Sequence, residues 1–333
     1  MSRRTIGRRW MLVTCTAVLV CTGCTLTREQ ARVRLAQGDA ALAARNVELA
    51  VAEFREAVAL DPNYADAHTK LGQAYREAGD LGRAADELKT AVRLSPRDFV
   101  PVFELGEVYR LLDRLAQAIS AYVIACEIQP ENFDARARLA DCYYRSGDLG
   151  AAAEAYDAAL RLNDTDARCW SNLGAVYHMQ SKPYEAIRAY KRALERGSPQ
   201  PAVLVNLATV YLQQERWTTA HRALLRAIDL DPRLSAAHER LGYCLWRQEL
   251  YDDAAREYRQ AIDLDARNAA AHAGLGVVRM TQYLNEPATV AFRNEAVESW
   301  HISLELNPDQ PKLRSLLEKY RPKQQQPTLT YEP

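Results

Sequence analysis

The residues able to carry chemistry are few and scattered. The chain has six histidines. His68, His238 and His272 lie multiples of 34 residues apart. They therefore occupy one repeated position on separate segments, and a shared metal site is not expected. His178, His221 and His301 have no acidic or thiol partner at ligand spacing. Downstream of residue 24 the cysteines are Cys126, Cys142, Cys169 and Cys244, with no Cys-x-x-Cys pair. Cys142 and Cys244 share one repeated position and read as core residues. An oxidising compartment would permit a disulfide, for which Cys126 and Cys142 are the candidates. Asp263-Leu264-Asp265-Ala266-Arg267-Asn268 opens like a calcium loop. It lacks the required Gly, and Arg267 stands where an acceptor belongs. A phosphate-binding Gly loop, a zinc-protease helix motif and a nucleophile elbow are all missing from the sequence. The expectation is a non-enzyme with no metal and no cofactor.

The elements that position these residues are repeats. Gly38, Gly72, Gly106, Gly174 and Gly242 fall on a 34-residue grid, and Ala140 and Ala208 fill its missing steps. Leu71, Leu105, Leu139, Leu173, Leu207 and Leu241 each precede the small residue. Tyr75, Tyr109, Tyr143, Tyr177 and Tyr211 follow three residues later. Further along come the alanines Ala84, Ala118, Ala152, Ala186, Ala220 and Ala254, then a bulky residue such as Tyr122 or Tyr190, then another Ala. Pro62, Pro96, Pro130 and Pro232 close four of the repeats. Seven units run from Ala31 to Asn268 without a gap. Each holds two stretches with apolar spacings of three and four, the mark of amphipathic helices. Gly79-Asp80 and Gly147-Asp148 read as a helix stop followed by an N-cap.

This grid resembles the tetratricopeptide repeat family. The resemblance implies an all-α, right-handed α-solenoid of about eight helix-turn-helix units, starting near residues 31, 65, 99, 133, 167, 201, 235 and 269, and together spanning 31–310. In the eighth unit the second helix arrives eight residues late, which places an insertion near 280–292 that lengthens the first helix or makes a loop. Residues 311–321 read as a capping helix over the last apolar face. Residues 322–333, rich in Gln and Pro, read as a disordered tail.

In the family, the first helices line a concave groove. Transferred position by position, that groove includes Arg76, Arg110, Arg138, Tyr144, Arg145, Asn172, His178, Asn206, Arg240, Tyr243 and Trp246, charged early and more aromatic and amide-bearing later. Asn172 and Asn206 share one repeated position, where the family uses Asn to hold a peptide backbone. Around Asn206, Ser171, Ala175 and Ala236 stand where the family's chaperone-tail clamp needs Lys and Asn, so that clamp is incomplete. The expected partner is a protein or peptide in the groove, and arrays of this kind also form homo-oligomers through their ends.

Charge agrees with a protein partner rather than nucleic acid. There are 43 basic and 43 acidic residues, interleaved along the helices, without the net positive charge of a nucleic-acid binder. The chain opens with Arg3, Arg4, Arg8 and Arg9, followed by an uncharged stretch from Trp10 to Cys21. As a helix that stretch spans roughly 18 Å, too short for a membrane core of about 30 Å, and it fits a secretory signal. Cys21-Thr22-Gly23-Cys24 resembles the lipobox of bacterial lipoproteins, with Cys21 in place of the usual Leu. The resemblance implies a signal peptide over 1–23, a lipid on Cys24 and a short tether over 24–30. Thr25 is not the Asp that retains such lipoproteins at the inner membrane, so the expected address is the outer membrane, facing the periplasm. The expected function is a non-catalytic scaffold for assembly of an envelope, pilus or secretion complex. The alternative is a substrate-recruiting partner of a glycosyltransferase or peptidoglycan enzyme.

Overall fold

The computed structural model describes residues 27–320. The signal peptide over 1–23, Cys24 and the tail over 322–333 lie outside the described residues. Within them the chain is helical throughout, α1 to α17, with no strand. The first helix, α1, covers 27–43. Residues 27–30, expected in the tether, are therefore helical, an exposed polar turn that leads into the buried Ala31.

The helices follow one another as hairpins: α2 (Val47–Leu60), α3 (Ala65–Glu77), α4 (Leu81–Leu94), α5 (Phe99–Leu111), α6 (Leu115–Ile128), α7 (Phe133–Ser146) and α8 (Leu149–Leu162). Beyond Asp164 they continue as α9 (Ala167–Met179), α10 (Pro183–Arg196), α11 (Pro201–Gln213), α12 (Trp217–Leu230), α13 (Ser235–Arg247) and α14 (Tyr251–Leu264). The last three are α15 (Ala269–Asn285), α16 (Val290–Leu306) and α17 (Pro311–Tyr320). The chain divides into two compact units that meet in sequence at Asp164 and Thr165.

Two kinds of turn build the array. Inside a hairpin the chain turns through a left-handed residue: Arg45, Gly79, Asp113, Gly147, Ser181, Glu215 and Glu249, each 34 residues after the last. Around Gly79 the Gly79 amide donates to the Arg76 carbonyl and the Asp80 amide to the Tyr75 carbonyl. This 6→1 closure satisfies carbonyls that a helix end would otherwise leave bare. The same pair of bonds recurs at Glu249, from Glu249 to Trp246 and from Leu250 to Leu245. Between hairpins the turn is different. The Asp61 amide donates to the Ala57 carbonyl and the Tyr64 amide to the Asp61 carbonyl, with Pro62 lying between.

The eighth hairpin shows where the extra residues went. Both α15 and α16 have 17 residues, against 13 and 14 in α13 and α14. The added length thus extends both helices by about a turn, rather than the first helix alone or a loop. Its turn is also of the second kind. The Glu286 amide donates to the Gln282 carbonyl and the Thr289 amide to the Glu286 carbonyl, and Pro287 sits where Pro62 sits in its own turn.

Hairpins close because a small residue on the first helix faces a large one on the second. A Cβ added at Gly106 would lie 2.8 Å from Tyr122 Cε1, and one at Gly276 would clash with Trp300 Cδ1. In the first unit the core runs through Phe54, Leu71, Leu88, Val108 and Tyr122, all buried. In the second it runs through Tyr190, Leu207, Leu224, Leu241 and Tyr258. At the end of the second unit, Leu313 and Leu317 of α17 pack with Met280 and Trp300. Cys126 and Cys142 are free thiols, as are Cys169 and Cys244, so the candidate disulfide is not formed. Burial raises the Cys126 thiol and pushes the Cys142 thiol up to about 11. Neither is a ready nucleophile at neutral pH.

Candidate functional site: the first-helix faces

The two units present different first-helix faces, each built from one repeated set of positions. In the first unit that face is a closed network of ion pairs. Glu104 accepts from Gln73 Nε2 at 2.9 Å and pairs with Arg76 Nε at 3.2 Å. Glu107, only 6% exposed, is the centre of the network. It accepts from Arg110 Nη2 at 2.7 Å and from the Tyr122 hydroxyl at 2.5 Å, and Arg138 Nε lies 3.0 Å away. Burial works to raise its carboxyl. The Arg110 and Tyr122 hydrogen bonds and the Arg138 charge outweigh burial and hold it below the usual carboxylate range. Asp141 accepts from the Tyr156 hydroxyl in the same manner. Arg145 Nη2 donates to Asp113 at 2.6 Å. Four of the sequence-derived groove residues, Arg76, Arg110, Arg138 and Arg145, are therefore engaged with acids of their own unit. Tyr144 is half-buried beside them.

The second unit carries Asn172, His178, Asn206, Arg240, Tyr243 and Trp246 on α9, α11 and α13. These helices, with α15, pack successively against one another. His178 Nε2 and Gln213 Oε1 are 2.8 Å apart, bridging α9 to α11. Trp246 Nε1 donates to Thr281 Oγ1 at 3.4 Å, bridging α13 to α15. Asn206 is exposed, and it has no side-chain partner among the described residues. Asn172, on the preceding first helix, is half-buried.

Tyr243 anchors an aromatic group. Its ring centroid lies 5.9 Å from that of Trp246 and 6.4 Å from that of Trp217. Arg247 sits 4.5 Å over the Trp217 ring and donates to the Tyr243 hydroxyl at 3.3 Å. All three aromatic residues are half-buried. A cavity of about 210 Å³ adjoins them, lined by Thr209, Leu212, Gln213, Arg240 and Tyr243. Arg240 is the counter-ion of Glu239, 3.3 Å away, whose buried carboxyl is raised by desolvation and lowered only by that Arg. Arg240, half-buried, is therefore a structural residue as well as a lining one. Reading positions along the first helices missed Trp217, because it opens the second helix α12. Its signal is the bulky residue that begins most second helices, as Leu81, Leu115, Leu149 and Tyr251 do. Among the described residues no group of His, Cys, Asp or Glu is disposed to hold a metal ion, and no helix is long and apolar enough to cross a membrane.

Residues 67–275 match the family model described as the cilia and flagella-associated protein 70 C-terminal domain, a tetratricopeptide repeat model, and residues 38–79 match the TPR repeat model. The chain belongs to the tetratricopeptide repeat family. Among solved structures, a tetratricopeptide repeat protein from Parabacteroides merdae superimposes with a TM-score of 0.58 at 17% identity, covering 77% of this chain and 98% of that one. The APC/C hetero-tetramer Cut9–Hcn1 gives a TM-score of 0.57 at 18% identity, covering 83% of this chain and 52% of that one. Pseudomonas aeruginosa pilF gives 0.51 at 20% identity, covering 62% and 94%. At these identities the likeness is one of fold. No curated protein sequence matches the chain.

Proposed function

We propose that this tetratricopeptide repeat chain is a non-catalytic scaffold that holds an extended peptide or partner helix on the first-helix face of its second unit. The observation that carries the reading is the half-buried trio Trp217, Tyr243 and Trp246 beside the small cavity at Thr209 and Leu212. Aromatic side chains that are partly desolvated and rigidly held are what dominate protein interfaces. Asn206 offers a donor and an acceptor to a peptide backbone on the same face. The first unit's face is a poorer candidate, because its Arg residues are already paired within the unit.

The same proposal places the scaffold in a bacterial envelope, anchored through a lipid on Cys24 and facing the periplasm from the outer membrane. There it would serve assembly of an envelope, pilus or secretion complex. The support is the basic head, the short apolar stretch and Thr22-Gly23-Cys24.

The test is a pull-down from envelope extract with the full chain beside Asn206→Ala/Trp246→Ala. Arg240 is left intact so that Glu239 keeps its counter-ion. A protein recovered only by the unaltered chain supports the face and identifies the partner, whereas equal recovery by both overturns the placement. Palmitate labelling lost in Cys24→Ala supports the anchor, and no labelling of the unaltered chain overturns it.

A further inference from the structure

The second helices of the other side carry a charge pattern that the repeat does not require. At one repeated position the chain has Asp86, Ser120, Glu154, Arg188, Arg222 and Arg256 in successive hairpins. Four residues later it has Thr90, Ile124, Ala158, Arg192, Arg226 and Gln260. Both positions are basic only in α10 and α12, and a hairpin folds equally well with Asp, Ser or Glu at the first of them. Arg256, the other Arg in the first series, is bonded to Asp253. Among the described residues, Arg188, Lys191, Arg222 and Arg226 are all exposed and have no ion-pair partner. A chain with equal numbers of acids and bases has thus gathered unpaired cations on two adjacent hairpins.

These cations border apolar clefts. One, of about 400 Å³, lies between α10 and α12. Leu204, Leu207 and Tyr211 of α11 form its floor, Leu194 and Ala223 contribute apolar walls, and on its rim Lys191, Arg222 and Arg226 outnumber one acid, Glu195, which is paired with Arg192 at 3.8 Å. A second cleft, of about 370 Å³, lies on the other flank of α10 against Tyr184, Ile187, Arg188 and Arg192, and shares Lys191 and Glu195 with the first. Tyr184 is 75% exposed.

We infer that this second-helix face is a docking site, separate from the first-helix face, for an acidic amphipathic segment of a partner protein. The apolar floor takes a row of Leu-like side chains at helical spacing. The basic rim takes the carboxylates that flank them, and it repels a basic segment. Nucleic acid suits the site less well, because the floor is largely aliphatic, its Tyr211 ring is buried under Arg216, and Tyr184 is the one exposed ring lining the two clefts.

The probe is a fluorescent peptide of about 20 residues with Leu at helical spacing and Glu elsewhere, titrated with the full chain. Saturable binding that weakens as salt is raised is the expected result. Lys191→Glu/Arg222→Glu/Arg226→Glu should lower the affinity at least ~10-fold and gain binding to the matching Lys/Leu peptide. That charge swap separates loss of the site from loss of the fold, and the milder Arg222→Gln/Arg226→Gln should fall between. Asn206→Ala/Trp246→Ala should bind the probe unchanged. The inference is overturned by no binding to the unaltered chain, by equal binding to the triple variant, or by loss of binding in the first-helix variant. Tighter binding of single-stranded RNA or of phosphatidylglycerol vesicles than of the peptide would also overturn it.

Discussion

Glu107 is the residue on which the first unit's face depends. Its two oxygens serve Arg110, Arg138 and Tyr122 at once, and it is nearly excluded from water. Removing the charge leaves two guanidinium groups without their shared counter-ion. Glu107→Gln should therefore cost about 2–3 kcal/mol in urea denaturation, and Tyr122→Phe, which removes one neutral donor, about 1 kcal/mol. His68 supplies a pH dependence of opposite sign to the usual carboxylate one. Nδ1 lies 2.6 Å from Glu87 and Nε2 3.1 Å from the Pro62 carbonyl, so the doubly protonated ring satisfies both neighbours. The Glu87 hydrogen bond raises its pKa against burial, and the Pro62 carbonyl adds to the rise. A folded-state pKa above the unfolded value gives stability that is complete below about 6.5 and is lost as pH rises through the folded value. The melting temperature should accordingly fall between pH 6 and 8 by more in the unaltered chain than in His68→Gln. An equal fall in both would remove His68 as the cause.

At the scale of the element, the left-handed turn residues are the informative feature. Seven hairpins need a positive φ at the same place, and only two, at Gly79 and Gly147, meet it with glycine. A side chain in that region costs roughly 1 kcal/mol. Glu249→Gly should raise stability by about 1 kcal/mol, and Gly147→Ala should lower it by a similar amount although nothing lies within 4 Å of the added methyl. Thermal melts of the two variants check both signs. These turns also mark a limit of what sequence shows. Gly147-Asp148 announces a stop and a cap, and both are present, with Asp148 accepting from the Ala151 amide. The residue type at Glu215 does not announce a left-handed conformation; only its register with Gly79 and Gly147 does, and the closing bonds of the turn impose it. The eighth hairpin is similar. Seven of its eight additional residues lengthen the two helices and one lengthens the turn, a division that the sequence does not announce.

For the whole molecule, the repeat grid was readable because packing imposes it residue by residue. Gly106 must be small since Tyr122 lies against it, and the same requirement recurs every 34 positions. The candidate site was less readable. Position along a first helix assigned Asn206, Tyr243 and Trp246 to the groove, and they lie on α11 and α13 of one unit. It could not show that Arg76, Arg110, Arg138 and Arg145 are occupied, since their partners come from neighbouring elements or neighbouring turns. The unpaired cations of α10 and α12 emerge only when successive hairpins are compared after pairing is known.

The capping helix α17 has a consequence of its own. Within each unit a hairpin stacks on the next through an apolar flank that the next one covers, and at the end of the second unit Leu313 and Leu317 cover the last such flank over Met280 and Trp300. Deleting α17 would leave a surface shaped to receive a hairpin, and every copy of the chain contains hairpins. Such a contact is head-to-tail and nothing in it closes, so it is the geometry of a filament. A chain ending before Pro311 should sediment as a broad, concentration-dependent ladder of species where the full chain gives a discrete one. Ten residues would then act as the terminator of a polymer that the rest of the sequence is otherwise able to grow.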